Sequence, residues 1–276
     1  MRISRGERLA NYVILCAFAL FALWPILTIL VLAVGPDDSA ASPEQGTGFL
    51  GLHPENFVNA WNVGRFGPAM LASVAVSTFV VTTATVLSIM SGYAFGTMRF
   101  RGQNALFYTF LVGLMVPTEA IVVPLYFDLR SVGLTDTFWA IALPQVAQSV
   151  AFGTFWMRAY FRTSSLALVE AARLDGAGSW RVLWLILVPI GRPAIVTLVV
   201  LTFLWTWNEF LIPLVMATSE HLRTAPLGLA FFQGQYTTGF TLLAAGAVIV
   251  AAPVLVVYIV LQRHVIRGML EGAVRE

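Results

Sequence analysis

Two carboxylates stand in stretches of this chain that otherwise carry no charge. Glu119 lies within Gln103 to Phe127 and Glu209 within Pro193 to Ala217. A carboxyl group deep in hydrocarbon costs about 2.5–3.5 kcal/mol or more unless it is paired, protonated or facing water, so each marks a candidate functional position. Glu119 is flanked by Pro117 and Pro124, which interrupt a helix and free backbone carbonyls beside a cavity. Glu209 follows Trp205, Trp207 and Asn208. Indole rings next to an amide and a carboxylate suit a ligand with apolar C–H faces and a rim of hydroxyls, which is the surface of a sugar. The same residues also fit a plainer reading, in which the tryptophans sit in the interfacial aromatic belt and the carboxylates cap or pair. Gln145 and Gln148, three residues apart on one helix face after Pro144, line the same path or bridge helices.

A second constellation lies in a hydrophilic loop. Glu170, Ala171, Ala172, Arg173, Leu174 and Asp175 favour helix, Gly176 and Gly178 break it, and Ser179 can cap a second helical stretch, Trp180 to Val188, closed by Pro189. Two small alanines on such a projection let another protein approach the backbone closely, with Glu170, Arg173 and Asp175 fixing register. A solvated hairpin is the alternative.

The elements that position these residues are membrane helices. Of 276 residues, 58% are apolar and 11% charged, where a soluble domain carries about a quarter charged. Stretches nearly free of charge run over Tyr12–Val34, Phe66–Met98, Gln103–Phe127, Thr137–Met157, Pro193–Ala217 and, after a segment 224–239 read as an external loop or re-entrant turn, Phe240–Gln262. All 16 basic residues are arginine. With both termini inside, only Arg65, Arg130 and Arg223 fall outside, as positive-inside loops require. The expected fold is therefore all-α: one polytopic domain over 1–276, six transmembrane helices, both termini cytoplasmic, 35–65 external and 158–192 cytoplasmic.

Several chemistries find no support. Gly46, Gly48 and Gly51 spell GxGxxG, but in a loop without the strand and helix a dinucleotide site needs. A chain without lysine has no phosphate loop ending in Lys-Ser or Lys-Thr, the three histidines are scattered, and Cys16 is alone. No resident cofactor or metal is expected, and no nucleic-acid partner. The lipid bilayer is the expected surround.

The run EAARLDGAGSWRVLWLILVP resembles the EAA loop of permeases of bacterial ATP-binding-cassette importers: Glu170, Ala171, Ala172, Gly176, Ile186 and Pro189 match at that family's spacing, with Val188 in place of leucine. Phe203 to Val215, Arg267 to Val274 and Pro117 to Thr137 are similar to the maltose-type, MalG-like branch of carbohydrate importers. An Ile-Pro-x-Glu-Leu run often seen before the loop is missing; Ser164 to Val169 holds no proline. The resemblance implies a MetI-like, type I importer fold in the bacterial cell membrane. Its implied partners are a second homologous permease, two ATPase subunits that bind ATP and magnesium, and an external solute-binding protein. It also implies that Glu170, Ala171, Ala172, Arg173, Asp175 and Gly176 couple to the ATPase, and that the chain itself performs no covalent chemistry. Glu119, Gln145, Gln148, Trp207, Asn208 and Glu209 are then candidates for the substrate path. A proton-coupled secondary transporter using Glu119 or Glu209 is the rival reading, and a membrane enzyme a weaker third.

Overall fold

The computed structural model describes residues 5–36, 51–164, 166–232 and 239–273. Asp37, Asp38, Glu44, Gly46, Gly48, Gln233 and Gln235 lie outside the described residues. Every described element is helical: α1 Arg5–Ala33, α2 Glu55–Val63, α3 Phe66–Thr97, α4 Gln103–Met115, α5 Thr118–Ser131, α6 Phe138–Ser164, α7 Leu166–Leu174, α8 Ser179–Ile190, α9 Arg192–Asn208, α10 Leu211–Met216 and α11 Phe240–Ala273.

The chain forms two compact units, Met1–Gly67 with Gly228–Ala252, and Pro68–Leu227 with Pro253–Glu276. In the first, α1 presents apolar side chains outward along nearly its whole length, as a lipid-facing span does. Its C-terminal end is tied down by Asn56, which donates to the carbonyls of Ala33 and Gly35 at 3.2 and 2.9 Å. Thr241 donates to Pro36 at 3.3 Å. Phe66 and Phe232 pack with ring centres 6.2 Å apart, and Gly246 leaves them room.

The second unit is built around α3 and α6. Ser88, Gly92 and Gly96 on α3 meet Gly153, Met157 and Phe161 on α6, rung by rung. Small residues at four-residue spacing let two membrane helices approach closely. Because both series rise together, α3 and α6 run parallel. The chain between them must therefore return across the membrane, so α4 and α5, bent 99° at Val116–Pro117, form one broken crossing. On the other side of α6, Tyr160 meets Gly191, Trp156 donates its indole N–H to Ala194 at 3.0 Å, and Phe152 meets Trp205. Here the numbers rise against each other, so α9 is antiparallel to α6.

Three expected spans are modified by this packing. Gln103–Phe127 is two helices broken at Pro117 alone, since Pro124 is carried inside α5. Pro193–Ala217 is broken at Glu209, where the backbone becomes extended before α10. Helix α6 is long enough to cross at about 1.5 Å per residue but is less apolar than α1, α3 and α11, and its polar Gln145, Ser149 and Thr154 are buried within the protein. Residues 224–228 are buried, and Ala225 donates its backbone N–H to Ser73 at 2.8 Å, so this stretch of 224–239 is packed inward and is no solvated loop.

Two apolar clusters lie at opposite ends of α6. One joins Val76, Val80, Val122, Ile141, Ile212 and Met216. The other joins Ile89, Tyr93, Met157, Phe161, Val169, Ala172, Val182, Leu183 and Leu187, and so seats α7 and α8 on the helix ends.

Candidate transport cavity and docking loop

Between the two clusters α6 turns a polar face toward α9. Gln145, Gln148, Ser149 and Phe152 recur at helical spacing, so they share that face. With Gly113, Leu114, Val116 and Thr118 from the α4–α5 break, and Leu204, Trp205, Thr206, Asn208 and Glu209 from the end of α9, they line a cavity of about 580 Å³. The two helix breaks thus open the space that a straight pair of helices would fill.

The polar groups are held in place. Gln148 donates to Thr118 at 3.0 Å, spanning from α6 to the start of α5. Gln145, 4% exposed, donates its amide to Ile141 at 3.1 Å, while its Oε1 acceptor has no hydrogen-bond partner among the described residues. Asn208 donates to Leu204 at 2.7 Å. Glu209 accepts the N–H of Ile212 at 3.0 Å and so caps α10, while its side chain remains part of the cavity wall. Trp205 stands edge-on to Phe152 at 4.7 Å between ring centres and remains half exposed.

Four of the six residues assigned to the path from sequence, Gln145, Gln148, Asn208 and Glu209, meet here. The other two do not. Trp207 is buried against Phe203, with Trp205 in its expected place, and Glu119 is exposed on the first turn of α5 outside the cavity wall. The alternation of neighbours on a helix explains the exchange: positions 205 and 207 lie about 200° apart around the axis. Ser149, Thr118 and Phe152 were missed, although Ser149 and Phe152 continue the Gln145 and Gln148 spacing.

The loop has the expected helix, turn and helix. Helix α7 ends with Gly176 left-handed at φ 77°, Ala177 N–H bonded to Ala172 at 2.9 Å and Gly176 N–H bonded to Arg173 at 3.0 Å. This paired closure needs a residue free to take positive φ, which glycine does without strain. Glu170, Ala171, Arg173, Leu174 and Asp175 are exposed, Leu174 at 89%. Ala172 is not on the outer face; it is buried against this chain's own Val169, Val182 and Leu183. Helix α7 thus turns one face to this chain's own core and leaves the next exposed.

Comparison with known proteins places these features in context. Residues 84–271 match the family described as binding-protein-dependent transport system inner membrane component. The chain is 36% identical over 223 residues to the probable ABC transporter permease protein YurM of Bacillus subtilis (strain 168), covering 81% of this chain and 74% of that protein. It is 32% identical over 223 residues to the diacetylchitobiose uptake system permease protein NgcG of Streptomyces coelicolor, covering 80% and 74%. A crystal structure of a bacterial ABC transporter involved in the import of the acidic polysaccharide alginate contains a chain of the same fold, with TM-score 0.79, 23% identity, and coverage of 96% and 99%.

Proposed function

This chain belongs to the inner membrane components of binding-protein-dependent transport systems, the permeases of ATP-binding-cassette importers, and from that membership we propose that it carries a sugar into the cytoplasm. It is a transport subunit and not an enzyme. The observation that carries the sugar reading is the cavity between α6 and α9, where amides and hydroxyls surround the half-exposed ring of Trp205. A pyranose offers matching hydroxyls and an apolar face. The diacetylchitobiose relative supports the same class.

The family implies ATPase and binding-protein partners. In the arrangement we propose, this chain acts as one permease domain with both termini cytoplasmic. It pairs with a second, related permease above two ATPase subunits that bind ATP and magnesium, and the binding protein delivers sugar from outside. The exposed face of α7, formed by Glu170, Ala171, Arg173 and Asp175, docks in a groove of the ATPase, and Gly176 sets the turn that holds α7 against α8. Ala172 belongs to the support of that face. Closure of the ATPase pair on ATP moves α7 and α8, which are packed on the ends of α3 and α6, and so changes which side of the membrane the cavity faces.

A proton-coupled transporter working through Glu119 or Glu209 does not fit membership of this family. Glu119 stands outside the cavity and Glu209 is engaged as a helix cap.

Mild solubilisation tests the proposal. ATPase subunits should copurify with this chain, and proteoliposomes holding the complex and binding protein should take up sugar only with ATP inside. Uptake driven by a proton gradient without ATP would overturn it.

A further inference from the structure

Resting on the sugar-import reading, we infer that the cavity between α6 and α9 admits uncharged carbohydrate and rejects phosphorylated or uronic sugars. The donors and acceptors of its wall come from amides, hydroxyls and one acidic side chain, Glu209; no arginine or histidine is among the lining residues. Recognition of a phosphate or carboxylate is ordinarily built on the fork of an arginine or the ammonium of a lysine. This chain has no lysine, and the arginine nearest in sequence to the lining of α6, Arg158, is engaged elsewhere: its Nε donates to the Phe95 carbonyl at 3.4 Å and its guanidinium lies 3.7 Å from the centre of the Phe107 ring.

The acceptors point the same way. The Glu209 carboxyl, part of the cavity wall, has acceptor capacity beyond the Ile212 N–H. A sugar hydroxyl can donate to that carboxyl. Ionised phosphate and carboxylate oxygens cannot, since they only accept. An anionic group would therefore lose its water without gaining a cation, in a wall whose one titratable side chain is acidic. The alginate transporter shares this fold at 23% identity, so the fold itself does not fix the charge of the ligand.

The test uses the complete importer complex, purified with its ATPase subunits but without binding protein, so that selection by the latter does not enter. Diacetylchitobiose, glycerol 3-phosphate and an alginate trisaccharide are each presented, and binding is read by saturation-transfer NMR. Diacetylchitobiose should give the signal, with both anions weaker by about tenfold or more, as a mismatched charge requires. Gln148→Arg, which supplies the missing cation, should narrow or reverse that ratio, and Gln148→Leu should not. Anions binding as well as the neutral sugar, or no ligand binding at all, would overturn the inference. ATP-driven sugar uptake by the same complex with its binding protein separates the two readings: if it persists, the importer reading stands while the charge rule falls, and if it is absent, both fall.

Discussion

Gly153 on α6 and Ser88 on α3 meet so closely that a Cβ added to the glycine would lie 2.1 Å from the serine Oγ and 2.7 Å from its Cβ. Ser88 is fully buried and its neighbour Leu198 closes the third side at 3.3 Å. The crossing of the two helices is thus set by the absence of a side chain. Gly153→Ala should force the helices apart and cost about 1–3 kcal/mol, the usual scale for overpacking. Gly113→Ala, with no atom within 4 Å of the new methyl, should leave stability unchanged or raise it. Thermal unfolding of the complex in detergent compares the two.

The parallel run of α3 and α6 and the arginine distribution predict the same topology. On a Cys16→Ser background, a cysteine at exposed Ser131 should react with an impermeant reagent in intact cells. One at exposed Ser179 should not react until the cells are opened. Reaction at Ser179 from outside would reverse the orientation and remove α7 from reach of an ATPase.

How far the sequence could be read follows from the kind of signal each feature leaves. Long apolar runs marked the helices long and apolar enough to cross a membrane, because lipid solvation acts on every residue of a span. The breaks at Pro117 and Glu209 were not both legible. A proline announces a break only where its neighbours cannot re-satisfy the backbone, so Pro117 ends a helix while Pro124 is tolerated inside one. Nothing in the local residue types announces the break at Glu209, which is fixed by the cap to Ile212 and by α10 packing against Ile141 and Val122. The same limit explains the exchange of Trp207 for Trp205. Composition places indoles near a cavity, but only packing decides which of two residues on opposite helix faces turns toward it.

Asp136 gives a prediction in pH. It lies in the left-handed region at φ 57°, its N–H bonds to Met216 at 3.0 Å, and its carboxylate accepts the backbone N–H of Ser219 at 2.8 Å. That bond, joined by Thr218, holds its pKa below the ordinary aspartate value. A folded pKa below the unfolded one gives stability that is present above the unfolded value, near 4, and lost as pH falls through the folded value. Asp136→Asn keeps an acceptor and tolerates positive φ. It should therefore fold, be less stable than wild type at neutral pH, and show a smaller loss of stability between about pH 5 and 2. Equal acid sensitivity of the two proteins would assign the titration elsewhere.

Glu209 separates a structural from a transport role. Loss of its cap on α10 in Glu209→Ala should cost about 1 kcal/mol, the common scale for a helix cap. Glu209→Asp shortens the side chain by one methylene and should restore part of the cap. If the carboxyl also serves the cavity, sugar uptake should fall in both variants beyond what their stability explains, with ATPase association intact. Uptake that simply tracks stability would leave Glu209 as a cap alone.

The proposed docking role of α7 is tested by two adjacent alanines that face different surroundings. Ala171 is exposed and Ala172 is buried against Val169, Val182 and Leu183. A tryptophan at either position adds the same bulk, but it meets different surroundings. Ala172→Trp must displace this chain's own core and should destabilise the α7–α8 hairpin by about 1–3 kcal/mol or more. Its effect on coupling would therefore be indirect. Ala171→Trp points away from that core, so an uninvolved surface should tolerate it within about 0.5 kcal/mol. If the face docks closely in an ATPase groove, this variant should insert and fold normally yet lose copurified ATPase, or hydrolyse ATP without taking up sugar. Gly176→Ala supplies the third arm: the left-handed φ of 77° strains any other residue, and the helix closure through Ala177 and Ala172 should weaken by roughly 1 kcal/mol. Copurified ATPase, hydrolysis and uptake are measured together in each variant. Wild-type values for all three in Ala171→Trp would show that the exposed face of α7 touches no partner, whatever the other two variants do.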